Sequence, residues 1–482
     1  MRNPNPSGRA KRTVHFLATT LIAGTASQAA TFTWDNSAAN STWDTSSINW
    51  TGLSWPGAGL DNDAVFDATG AGVIGIDAAG VSANDLTFNA TGYTLSGPGV
   101  LTLNGTTSVI TANAAAAISA NLAGTNGFTK AGTQALTLSG NNSALSGTLT
   151  INDALSTNSN GVIVNSLAAL GGITTVNVNG TTTSGGFFRL AGTGIAVPSS
   201  VSFNLFGQGG NSAPVGTLVG AGTGVNSIAG TITLNSNGTR ISNSGATRLD
   251  ISGAITQSYT SAPTDQILFR FADNEGVRLM NTSNSWSVQT VNSQGVLWFN
   301  PGALPTTTNL QIAASNAGFI QSSGTFNRAL GTAANQVQFT LSAGRAMGFG
   351  ARGGNLNINF GGSGADVNFD TTAGAAATAI RTGVLVLNNS TADSRLTLAN
   401  ALNLNGAGRT IQVDSNVAEL TGGLKNSTGT FAMTKTGAGT LVVSGAIEPW
   451  WFRARLQGAP HSPAMEGPSR FADPPPIPSR VA

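Results

Sequence analysis

The chain has 482 residues, of which only 9% are charged and 63 are glycine, against a usual charged share of about 25%, and this excludes an ordinary helical enzyme. Simple disorder is excluded as well, because 40% of the residues are apolar and they recur in alternating order. The net charge of +2 is terminal in origin: without residues 1–30 and 446–482 the body holds 14 basic against 17 acidic residues, and its scattered arginines do not form the basic stripe with interleaved aromatics that a nucleic-acid partner requires.

Met1–Ala29 has the layout of a secretory signal, with Arg2, Arg9, Lys11 and Arg12 ahead of an apolar stretch from Val14 to about Ala26 and then Ser27-Gln28-Ala29. Cleavage after Ala29 or Ala30 is expected, and with it a secreted or surface location. The apolar run falls short of the ~20 residues that span a bilayer and is interrupted by His15, Thr19 and Thr20, so no membrane span is expected after cleavage. The exported chain has no cysteine, and its stability must come from a continuous core.

Residues 30–97 read as an N-terminal cap with the first rungs of a repeat. Trp34, Trp43, Trp50 and Trp55 fall within about twenty residues. A row of indoles can be a sugar platform, but a plug over the open end of a solenoid is the preferred reading, because terminal rungs must be covered. Asp61, Asp63 and Asp67 in the run DNDAVFD could offer oxygens to Ca²⁺, yet the EF-hand spacing and terminal Glu are absent. They are read as solvated cap carboxylates, and no cofactor is expected.

Residues 98–445 show strand periodicity nearly throughout. Leu101/Leu103, Val176/Val178, Ile232/Leu234, Leu356/Ile358/Phe360, Leu402/Leu404 and Ile411/Val413 each skip one residue. The Ala-rich run Ala112–Ala120 favours a helix by propensity, but Val109-Ile110 and Leu122 continue the strand rhythm and it is read as β. The stretch Phe128–Gly140, FTKAGTQALTLSG, returns ungapped as Met433–Gly445, MTKTGAGTLVVSG. Its Thr-Lys-x-Gly reads as a polar turn, and Leu136/Leu138 (Leu441/Val443) as one short strand with an apolar face. Such a strand buries that face only by stacking on copies of itself, which predicts an all-β solenoid. Two G-x-G-x-x-G matches, Gly70–Gly75 and Gly348–Gly353, open no helix after a strand and are read as turns.

Residues 198–331 are the least repetitive and read as irregular insertions whose loops would gather binding groups on one face. Here Asp265, Asp273 and Glu275, with Arg270 and Arg278, could form the acid/base pair of a glycosidase or the Asp/Arg set of a polysaccharide lyase, with Trp286 and Trp298 as sugar platforms. The plainer alternative is the solvated face of an aromatic-rich strand, so no catalytic residue is assigned. Residues 31–445 contain neither His nor Cys, which excludes Ser-His-Asp and Cys-His sites and the usual zinc sites there.

The Trp-Asp…Trp-Asp…Asn-Trp opening, Asn62-Asp63-Ala64-Val65-Phe66, Leu86-Thr87-Phe88-Asn89, Gly92–Gly97 and the two Thr-Lys-x-Gly units resemble the autotransporter-associated β-strand repeat proteins, also called passenger-associated transport repeat proteins. The likeness is strong over residues 31–153 and returns at 383–445. It implies an exported, right-handed parallel β-helix, often displayed at the cell surface, and no particular activity. It carries no catalytic residues to transfer. The low charge, the many Asn, Ser and Thr and the lack of a nucleophile–base set favour a non-enzymatic structural or adhesive passenger, for which surface polysaccharide or other surface molecules are the expected partners. The chain departs from the family in leaving no room after Gly445 for a membrane barrel. Residues 446–482 hold eight of the 17 prolines; they read as a disordered tail foreign to the repeat, unable to form a further rung. A non-functional fragment of a larger autotransporter-like protein is therefore a further alternative.

Overall fold

The computed structural model describes residues 30–57, 62–152, 160–181, 184–209, 216–245, 248–271, 275–313, 317–340, 342–370, 375–427, 432–448 and 453–456. The alternating segments become short strands that stack in parallel into a β-solenoid of about 15 turns. One sheet runs from Ala30–Trp34 through Asn62–Phe66, Leu86–Phe88, Val109–Ala112, Gly127–Ala131 and Ala144–Ile151 to Ile255–Gln257. A second starts at Thr42–Trp43 and passes through Ala116–Ile118, Ala135–Leu138 and Gly161–Val164. Farther along, a third face takes Asn226–Ile228, Leu249–Ile251, Val277–Leu279 and Gln289–Phe299 onward to Thr440–Val443. One small hairpin, Gly180–Thr181 against Ser184–Gly185, is antiparallel, and the one described α-helix is Leu167–Leu170.

Period-two alternation places every second side chain in one contiguous core. Because successive rungs keep register, like residues meet inside: Phe66 lies opposite Phe88 with parallel rings 4.8 Å apart. Outside, polar side chains bond from rung to rung. Asn89 Nδ2 donates to Asp67 and Asn113 Nδ2 donates to Asn89, both at 2.8 Å. At the corners, buried Asn142 accepts from the Leu122 N–H and donates to the Ala169 carbonyl, 2.8 and 2.7 Å, which satisfies backbone groups that a turn would leave unpaired. Buried Arg328 acts likewise on a longer connection, donating to the carbonyls of Leu304, Pro305 and Thr308.

The four N-terminal indoles are fully buried and pack mostly edge to face, with centroid distances of 4.6–5.1 Å among them. They cover the first rungs and present no open ring face. Ala112–Ala120 is β, with strands at Val109–Ala112 and Ala116–Ile118.

Four expectations need correction. Thr-Lys-x-Gly is not a turn: Gly127–Ala131 and Ala432–Thr436 are strands, and Lys130 occupies the inward column between Ile110 and Ile151. Its stem packs like an aliphatic side chain, while Nζ donates to the Ala131 carbonyl and to Asn160 Oδ1. Gly348–Gly353 lies inside the strand Ser342–Ile358, where a side chain at Gly348 would strike Val386 of the neighbouring rung. The described parts of residues 198–331 are stacked strands, not insertions; bulges at Phe269/Arg270 and Ser322/Gly324 break the sequence period without breaking the ladder. The ladder also continues past Gly445. Ile447–Glu448 pairs with Leu424–Lys425, and Arg453–Leu456 with the strand containing Lys435, since these two segments hold none of the tail's prolines. The remaining tail residues, including Trp450 and Trp451, and Met1–Ala29 lie outside the described residues.

Candidate functional site

The densest charge cluster sits on the outer surface of the third face. Leu249/Ile251, Val277/Leu279 and Leu297/Phe299 point inward, so the residue between each pair points out. Register then aligns Asp250, Arg278, Trp298, Gln321 and Gly350 in one column across successive rungs. Neighbouring rungs lie ~4.8 Å apart, close enough for long side chains to meet across several of them.

Three guanidiniums converge on one indole in this column. The Arg278, Arg352 and Arg248 carbons lie 3.9, 4.5 and 5.0 Å from the Trp298 ring centroid, inside the range of cation–π attraction. Trp298 is left only 7% exposed. Arg248 grips Asp250 through Nε and Nη2 and reaches Glu275 through Nη1 at 3.2 Å. Glu275 also accepts from Arg352 Nη2 at 3.2 Å and so bridges two arginines. Arg278 donates Nε and Nη2 to Asn300 Oδ1, 3.2 and 3.0 Å. Beyond Trp298, Gln321 donates to Asn389 and Thr391 and accepts from Arg352. Gly350 makes this possible, because a Cβ there would stand 2.6 Å from Asn389 Oδ1.

The arginines differ electrostatically. Burial presses the Arg248 pKa down, but bonds to Asp250 and Glu275 outweigh it and the net shift is upward. For Arg278 burial again presses down; Asp250 lifts it in part, Arg248 and Arg352 press it further, and the net shift is downward.

Of the residues singled out by sequence, Glu275, Arg278 and Trp298 meet here. Asp265 does not: it closes its own turn, accepting from the Ala262 N–H at 2.8 Å. Trp286 is a core residue whose Nε1 donates to buried Thr290, so neither indole offers a free sugar platform. Asp273 and Asp61 lie outside the described residues. Asp63 accepts from Asn84 Nδ2 and the Asp85 N–H, and Asp67 from Asn89, so both serve the rung ladder. Among the described residues no group of three or more His, Cys, Asp or Glu could hold a metal ion, and no helix is long and apolar enough to cross a membrane. Arg248, Asp250, Gln321 and Arg352 escaped sequence reasoning. Only the rung register, which local periodicity does not reveal, brings them beside Trp298. No known protein family, curated protein or solved structure matches the chain.

Proposed function

We propose that the chain is an exported, non-enzymatic β-solenoid that serves as a structural or adhesive passenger at the cell surface. The observation that carries this reading is the use of outward polar side chains on neighbouring rungs, as in Asn113–Asn89–Asp67, Asn179–Asn152 and Asn204–Asn177. Such ladders make a long, stiff, hydrated surface whose hydrogen bonds are largely spent internally. The signal-like N-terminus and the resemblance to passenger-associated repeats point the same way. A glycosidase or lyase is less well supported, because among the described residues Asp265 closes its own turn apart from Glu275, and guanidiniums cover the Trp298 ring beside Glu275.

Expression of the full chain with fractionation and N-terminal mass spectrometry tests the reading. Mature protein beginning at Ala30 or Thr31 outside the cytoplasm is expected; an uncleaved chain retained in the cytoplasm would overturn it.

A further inference from the structure

Among the described residues, the charges around Trp298 do not close on themselves: three arginines face two carboxylates. Asp250 and Glu275 are taken by Arg248 and Arg352. Arg278 lies between these two arginines, nearest to the indole, and its hydrogen bonds among the described residues go to Asn300 Oδ1, an uncharged acceptor. Two guanidiniums beside it raise the local positive potential, and partial burial strengthens that potential by excluding water. A planar guanidinium with donors left over, fixed from below by an indole face, is suited to receive an oxyanion.

We propose that Arg278, flanked by Arg248 and Arg352 over Trp298, anchors an anion-binding site that takes a carboxylate or sulfate group, free or carried on an acidic glycan. This gives a ligand class to the adhesive part of the proposed function and rests on that reading only for the natural source of the group. Binding is measured on purified protein, whereas export is measured in cells, so the two can fail separately. Asp250 and Glu275 have a further role in the site: they hold Arg248 and Arg352 in place while lowering the net charge, which favours a singly or doubly charged group over a polyanion held by charge alone.

The test is isothermal titration of the purified full chain with sodium sulfate, with an oligogalacturonate and with a sulfated oligosaccharide, at constant ionic strength in chloride. Saturable one-to-one binding of at least one probe is expected. R278Q should weaken it by at least tenfold, the loss expected for a charge-assisted hydrogen bond, and R278K should fall between, keeping the charge but losing the fork. Unchanged circular dichroism of R278K guards against a folding artefact. Binding of sulfate alone would assign the site to free anions; binding of a glycan as well would assign it to acidic saccharides. Absence of saturable binding for all three probes, or R278Q binding as tightly as the parent, would overturn the proposal.

Discussion

The two copies of the repeated unit, Phe128–Gly140 and Met433–Gly445, have closely similar sequences and unequal burial. In the first, Lys130 is 0% exposed and Leu138 lies between Ile118 and Val164 on the rungs before and after. In the second, Lys435 is 8% exposed, and Val443 pairs with Leu420 on one side while no described strand pairs with Thr440–Val443 on the other. Lys130 Nζ reaches Asn160, thirty residues on; Lys435 Nζ bonds the nearby Gly437 carbonyl. Local sequence therefore sets the shape of a rung, while its neighbours set how much that rung contributes to stability. This is the behaviour of a one-dimensional stack.

Substitutions that separate the two copies should follow that order. The largest effect is expected for L138D, which places a carboxylate in a dry column and should cost several kcal/mol in denaturant unfolding. V443D should cost clearly less because its side chain is only half-buried, and the outward T137D should be mild. Equal losses at Leu138 and Thr137 would mean that the facing is wrong.

K130A comes next, at about 2–4 kcal/mol, because it leaves a cavity and unpaired buried acceptors. K435A should lose less. K130M, which keeps the volume, separates packing from hydrogen bonding. G132A and G437A should instead agree with each other: both glycines have φ near +80° (+84° and +81°), and a Cβ would meet backbone at 2.5 and 2.2 Å. Each substitution should cost more than about 1 kcal/mol, measured as a shift of the urea midpoint.

The smallest expected effect is a pH dependence at Glu419, on the rung that the second copy meets through Ser444. Ser444 donates to Glu419 and Arg395 pairs with it, which holds its pKa below the ordinary 4.5. A depressed carboxylate stabilises the fold above its unfolded pKa and loses that contribution as pH falls through the folded value. With Arg395 half-exposed, solvent screening limits the contribution to about 0.5 kcal/mol. E419Q should remove that part of the acid-side slope in unfolding experiments between pH 5 and about 3.

Much of the fold was legible because period-two alternation and the repeated unit both report on single strands. Leu402 and Leu404 point inward as their spacing implies. Lysine misled because its charge suggested a turn, whereas its four-carbon stem fills an isoleucine position once a carbonyl and an amide receive the ammonium. Residues 198–331 misled because bulges hide the period from a local reading. Glu275, Arg278 and Trp298 could be singled out by type; that Arg248 and Arg352 join them depends on rung lengths fixed only when the chain coils.

Chemical labelling tests the central claim, that the Thr-Lys-x-Gly lysine is built into the core of a parallel stack. The chain has four lysines, Lys11, Lys130, Lys425 and Lys435, so brief acetylation of the native protein followed by peptide mass spectrometry reads each site separately. Rapid modification is expected at Lys425, which lies on the surface beside Asp366, with slower modification of Lys435 and protection of Lys130 until the protein is unfolded. Modification of Lys130 as fast as Lys425 under native conditions would contradict that claim.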